Sequence, residues 1–269
     1  MVVSLERTLK FFSRRRYVAA LIRGFDIRMN CARPGETPLA VEEILTPPYP
    51  PNEKPEGYFS TCIFGQGEAW RKTYFLPLLE SIKRWLEEFP RWRYRVYAPR
   101  EFPVEHSREL VSAGAEVFRM NRGQESNSPT LWRFLPAAQE LPFLSMDADL
   151  PYEEESARHL RAWLASGKKF YWKRMLGGLI WPVAAPRWGS RGAIPGWGEK
   201  LAAFADTCNC FGCDELFLKQ ELYPLLVKED TYKTQSVYFE IFWGLVFFLF
   251  LLALGIFLWL VGRLGGRVE

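Results

Sequence analysis

The residues with the clearest chemical potential are Asp147-Ala148-Asp149. They follow the apolar run 143–146, which reads as a buried strand. Two carboxylates at i and i+2, just past the carboxyl end of a sheet strand, sit where open α/β sheets bind ligands. Carboxylate oxygens suit Mg2+ or Mn2+, and such an ion can neutralise a diphosphate leaving group. A three-residue pattern is also a common solvated turn, so its surroundings must carry the argument. A second cluster, Cys208-Asn209-Cys210-Phe211-Gly212-Cys213, offers three thiolates. Structural zinc takes four ligands, and the two histidines, His106 and His159, are remote in sequence. Reduced thiols in a turn are the expectation there. With Cys31 and Cys62 the count is five. An odd number in a chain without a secretory signal argues against a disulfide framework.

The elements that must position these groups follow from periodicity. A strand is expected at 59–64, ending at Gly65, and a helix at 70–89, where Tyr74, Leu78, Ile82, Trp85 and Phe89 share a face. A strand at 94–98, a helix at 105–113 closed by Gly114, a strand at 115–120, a helix at 130–140 and the strand at 143–146 continue the alternation. Alternating strands and helices predict an α/β fold with a mostly parallel sheet covered on both faces. Trp70, Trp85, Trp92, Trp132 and Trp163 read as core. Glu153-Glu154-Glu155 reads as an acidic first turn, and Gly177-Gly178 as a turn that lacks the Lys-Ser/Thr of a phosphate loop.

Two further regions bracket this domain. Residues 241–262 are 22 consecutive residues without a charge, bounded by Glu240 and Arg263, with Trp243 and Trp259 near the ends. As a helix they would span about 33 Å, enough for a bilayer core, and their tryptophans would sit at the interfaces. One C-terminal transmembrane helix is therefore expected, with the lipid bilayer as a partner. At the other end, Arg7, Lys10, Arg14, Arg15, Arg16, Arg23 and Arg28 face only Glu6 and Asp26. That is the style of an organelle-targeting segment or of an arm on anionic lipid. The run Thr46-Pro47-Pro48-Tyr49-Pro50-Pro51 then reads as an extended linker. The expected division is a basic arm and linker (1–57), the α/β domain (58–226), a juxtamembrane linker (227–240), the transmembrane helix (241–262) and a tail (263–269). A net charge of +4, from 35 Lys and Arg interspersed with 31 Asp and Glu, is too small to argue for nucleic acid.

From Tyr58 to residue 226 the chain resembles a family of glycosyltransferase-like proteins with the nucleotide-diphospho-sugar transferase (GT-A) fold. The residues that carry the resemblance are Ile63-Phe64-Gly65, Phe89-Pro90-Arg91-Trp92, Leu131-Trp132-Arg133-Phe134, the Asp147/Asp149 pair, Trp163-Leu164-Ala165-Ser166-Gly167-Lys168-Lys169-Phe170, Trp188-Gly189, Asp214-Glu215-Leu216-Phe217-Leu218 and Tyr223-Pro224. It implies a donor site at Asp147, Asp149, Asp214, Arg174 and Arg133, and Mn2+ or Mg2+ on Asp147 and Asp149 with a nucleotide sugar. The departures are specific. Met146 stands where the family has Arg, and Glu155-Ser156 where it has Arg-Glu. Tyr171 and Leu179 replace two His, Met175 replaces Asp, and Ala185-Pro186 replaces Gly-Gly. Met and Leu supply neither proton transfer nor charge, and Pro blocks the backbone approach that Gly permits. The expected function is thus a non-catalytic, accessory subunit of a membrane complex on a degenerate glycosyltransferase-like fold, with other subunits as partners and no cofactor. The basic N-terminus points to the mitochondrial inner membrane and a respiratory complex, with the domain on the matrix or cytosolic side. The alternative is an active, metal-dependent, membrane-anchored glycosyltransferase.

Overall fold

The computed structural model describes residues 39–50, 53–123, 129–174, 187–207 and 213–235, together with Leu249 and Leu252. Among these residues eight strands form one mixed sheet. They are β1 (Val41–Leu45), β2 (Gly57–Cys62), β3 (Trp92–Ala98), β4 (Ala115–Met120), β5 (Phe143–Met146), β6 (Phe170–Arg174), β7 (Arg187–Ser190) and β8 (Thr231–Gln235). Their order across the sheet is β1-β4-β3-β2-β5-β7-β6-β8. The pairs β4-β3, β3-β2, β2-β5 and β6-β8 are parallel. β7 is antiparallel to both β5 and β6, and β1 to β4. All strands except β1 and β7 therefore point the same way, and their carboxyl ends line one edge of the sheet.

Alternation along the strands sends neighbours to opposite faces. Phe59, Tyr94, Val96, Leu144 and Tyr171 join a core with Leu78, Ile82, Trp85, Leu160 and Trp163. These come from α1 (Leu76–Glu88) and α4 (Glu154–Ser166), and Leu110 of α2 (Val104–Ser112) joins them. On the other face Tyr58, Phe143, Phe170, Trp172 and Trp188 pack against Leu131 of α3 (Pro129–Trp132), α5 (Trp197–Thr207), α6 (Cys213–Phe217) and Leu226 of α7 (Tyr223–Lys228). Mostly parallel strands buried on both faces are the α/β architecture expected.

The helix expected at 70–89 runs from Glu68 through a π-helical turn, Arg71–Phe75, into α1. The helix expected at 130–140 is instead α3 followed by a 3-10 turn, Leu135–Ala138. Pro136 has no N–H for an α-helical bond, so the helix cannot continue through it.

Two expected boundaries are corrected. The linker assigned to 1–57 contains β1, which adds an edge strand along β4. Val41–Leu45 precedes the prolines, and the outward Glu42 and Glu43 protect an edge from further pairing. The proline run also touches its own domain: Arg93 lies 4.1 Å over the Tyr49 ring and donates to the Glu53 carbonyl at 3.0 Å. The linker assigned to 227–240 contains β8, because Thr231 and Thr234 are buried in register with Phe170 and Lys173. The basic arm 1–38 and the tail 263–269 lie outside the described residues. So does the apolar segment 241–262, with Trp243 and Trp259, apart from Leu249 and Leu252, which are helical and exposed. Among the described residues no helix is long and apolar enough to cross a membrane.

Candidate functional site

Asp147 is the first residue past β5, and Cys62 ends the adjacent β2, so both lie on the edge formed by the strands' carboxyl ends. Arg133 follows α3, and its carbonyl accepts a 2.6 Å hydrogen bond from the buried Ser60 Oγ of β2. That bond fixes the backbone from which the guanidinium reaches out. Its Nη1 donates to Asp147 Oδ1, and its Nη2 donates to Asp214 Oδ2 at 2.7 Å. Asp214 lies in α6, which packs beside α3. Three residues distant in sequence thus meet in one ion triad. The Arg133 side chain is 9% exposed and that of Asp214 15%, while Asp147 keeps 34%.

The electrostatics follow from shared burial. Desolvation pushes the Asp147 carboxyl up to about 6; Arg133 opposes the shift and Asp149 and Asp214 add to it. Burial opposes the charge of Arg133, yet Asp147 and Asp214 hold it firmly protonated. Glu215, beside Asp214, is raised to about 8 by burial and by the two aspartates. The Cys62 thiol is raised to about 12, chiefly by burial, so it is no nucleophile at neutral pH.

Of the expected donor-site residues, Arg133, Asp147 and Asp214 are brought together. Asp149 is exposed in the turn after β5. Arg174 ends β6, and its side chain lies outside the described residues, as do Met175, Leu179, Ala185, Pro186, Cys208 and Cys210. The described residues contain no group of three or more His, Cys, Asp or Glu placed to hold a metal. Of the two carboxylates expected to hold Mn2+ or Mg2+, Asp147 is bound to Arg133, whereas Asp149 stands outside the triad.

A second ion cluster borders the first. Arg187 pairs in register with Met146, the position where the resembled family carries Arg. Arg187 is 1% exposed, and its Nη1 donates to Glu153 Oε2 at 2.7 Å and to Ser156 Oγ. Its Nη2 donates to the Pro151 carbonyl at 2.9 Å, which braces the turn after Asp149. Lys173 Nζ reaches the same Glu153 oxygen at 2.9 Å. Burial would raise the Glu153 carboxyl, but Arg187 and Lys173 bring it down to about 2. Arg187 of β7 thus braces the turn that follows β5. Tyr171, at a family His position, is 1% exposed and packs against Trp163 and Tyr232, so it is core.

The sequence matches no protein-family model. No curated protein matches it either. Similar solved structures include glucosyl-3-phosphoglycerate synthase of M. tuberculosis, at 13% identity, with a TM-score of 0.42, over 67% of this chain and 69% of that one. A mycobacterial protein is similar at 12% identity and a TM-score of 0.43, over 76% of this chain and 75% of that one. At such scores neither likeness says anything of ligand or reaction.

Proposed function

We propose that this chain is a membrane-anchored, non-catalytic protein: a degenerate GT-A-like domain used as an accessory or structural subunit of a membrane complex. The observation that carries the reading is Arg133, shared between Asp147 and Asp214 with its Nη2 bond at 2.7 Å. A buried guanidinium already pairs with Asp147, one of the two carboxylates that would receive a metal. The apolar substitutions from Tyr171 to Pro186 support the same reading, since they remove proton-transfer and charged groups together. The uncharged segment 241–262 supports the anchor, and the Arg-rich N-terminus supports a mitochondrial inner-membrane location. A second reading, a metal-dependent glycosyltransferase, is favoured by the position of Asp147 and Asp149 past β5 and by the residual exposure of Asp147.

Calorimetric titration of the purified chain with Mn2+ separates the two. Non-catalytic use predicts no saturable uptake in the micromolar range. Saturable uptake that disappears in the Asp147→Asn/Asp149→Asn variant would restore the enzyme.

A further inference from the structure

Between α1 and α2 lies a cleft that shares no residue with the ion triad. Its volume is about 340 Å3, and its walls are Leu79, Lys83, Arg108, Glu109, Ser112 and Ala113. Small-molecule pockets begin at about this size, roughly 300 Å3. Leu79 and Lys83 stand one turn apart on α1, and Arg108 and Ser112 one turn apart on α2, so each pair belongs to one face of its helix.

The charge of the cleft depends on which groups are already paired. Glu109 is committed: Arg71 Nη1 and Nη2 donate to its two carboxylate oxygens at 3.1 and 2.9 Å, and these bonds hold its carboxyl below the usual range. Lys83 and Arg108 are exposed and make no ion pair among the described residues. Each follows a glutamate by three residues, Glu80 and Glu105, a spacing that pairs on a helix surface, yet neither pair forms. Arg71, Lys83 and Arg108 against Glu109 leave a surplus of two positive charges at the cleft.

An ammonium and a guanidinium only donate hydrogen bonds, and the Ser112 hydroxyl can join them. Such a set suits a phosphoryl group, which carries about −1.5 to −2 at neutral pH and offers three acceptor oxygens. Leu79 and Ala113 add apolar wall, with room beyond the phosphoryl group for a short organic body. We propose that the cleft between α1 and α2 binds a small organic phosphate monoester. Its phosphoryl group lies between Lys83 and Arg108, and its organic part lies against Leu79 and Ala113. Binding there is independent of the ion triad and of the membrane anchor.

The test is calorimetric titration of the purified full chain with inorganic phosphate and with phenyl phosphate. The expected result is saturable binding of both, about tenfold tighter for phenyl phosphate because its ring buries apolar surface. Lys83→Gln/Arg108→Gln should weaken both at least about tenfold through lost charge-assisted hydrogen bonds. Both side chains are exposed, so this variant keeps the fold. Lys72→Gln/Arg84→Gln removes the same charge from exposed ion pairs with Glu68 and Glu87, and should bind like the parent. Failure of both probes to saturate, equal loss in the two double variants, or phenyl phosphate bound no more tightly than inorganic phosphate would overturn the site.

Discussion

Arg133 is the counter-charge that Asp147 and Asp214 share. Replacing it with Met leaves Asp147 and Asp214 facing each other without a counter-charge, and breaking a buried ion cluster in this way costs about 3–5 kcal/mol. Asp147→Asn should cost less, because Asp214 still pairs with Arg133 at 2.7 Å. Chemical denaturation of the two variants checks the ordering. The carboxyls make opposite pH predictions. Glu153 is lowered to about 2 in the fold, so its stabilisation is complete above its unfolded value near 4.5 and fades as pH falls toward 2. Glu215 is raised to about 8, so ionising it costs the fold stability as pH climbs from near 4.5 to 8. In melting curves, Glu153→Gln should approach the parent at acid pH, whereas Glu215→Gln should gain on the parent toward pH 8. Asp147, Asp149, Asp214 and Arg133 were legible in the sequence as candidates because their types and order carry the resemblance. What the sequence hid was which of them pair. Arg187 was not legible at all, since its link to the turn after Asp149 runs through strand register, and Glu215 owes its shift to burial that α6 alone does not reveal.

The sheet elements hold these residues through a few contacts with large leverage. Gly189 of β7 has no room for a side chain: an added Cβ would meet the Phe143 carbonyl, with the Trp163 ring at 3.1 Å. Gly189→Ala should therefore separate β5 from β7 and lower the melting temperature. Trp132 and Trp163 are both fully buried, and Ala at either position should cost about 3–5 kcal/mol through lost contact and a cavity. Between β3 and β4, Glu116 is 4% exposed and bound to Arg95 at 3.0 Å and Arg93 at 3.1 Å. Glu116→Ala strands the buried Arg95, a loss of about 3–5 kcal/mol that equilibrium unfolding would register. The helices and central strands were readable because their apolar periods are strong. The edge strands β1 and β8 were not, because Val-Glu-Glu and Thr-Tyr-Lys-Thr show no apolar run and are decided by pairing with β4 and β6. The helix expected at 130–140 gives way to a 3-10 turn at Pro136, because the apolar spacing around it carries no sign of the N–H that proline lacks.

At the scale of the whole molecule, the proposed reading joins an α/β domain to an uncharged C-terminal segment, 241–262. Removing residues 237–269 should move the protein from the membrane to the soluble fraction, because it removes the apolar segment 241–262 while leaving β8 intact. Truncated protein that still pellets after a high-salt wash would assign the anchoring to another part of the chain. Under the proposed reading this site transfers no sugar. Losing one well-placed catalytic group typically costs about 10²–10⁴ in rate, and here several family positions have changed together. The most direct measurement is therefore turnover of nucleotide-sugar donors by the purified full chain in membranes, with Mn2+ present. The proposed non-catalytic role predicts no hydrolysis or transfer above the protein-free rate. Turnover that vanishes in the Asp147→Asn/Asp149→Asn variant would contradict it.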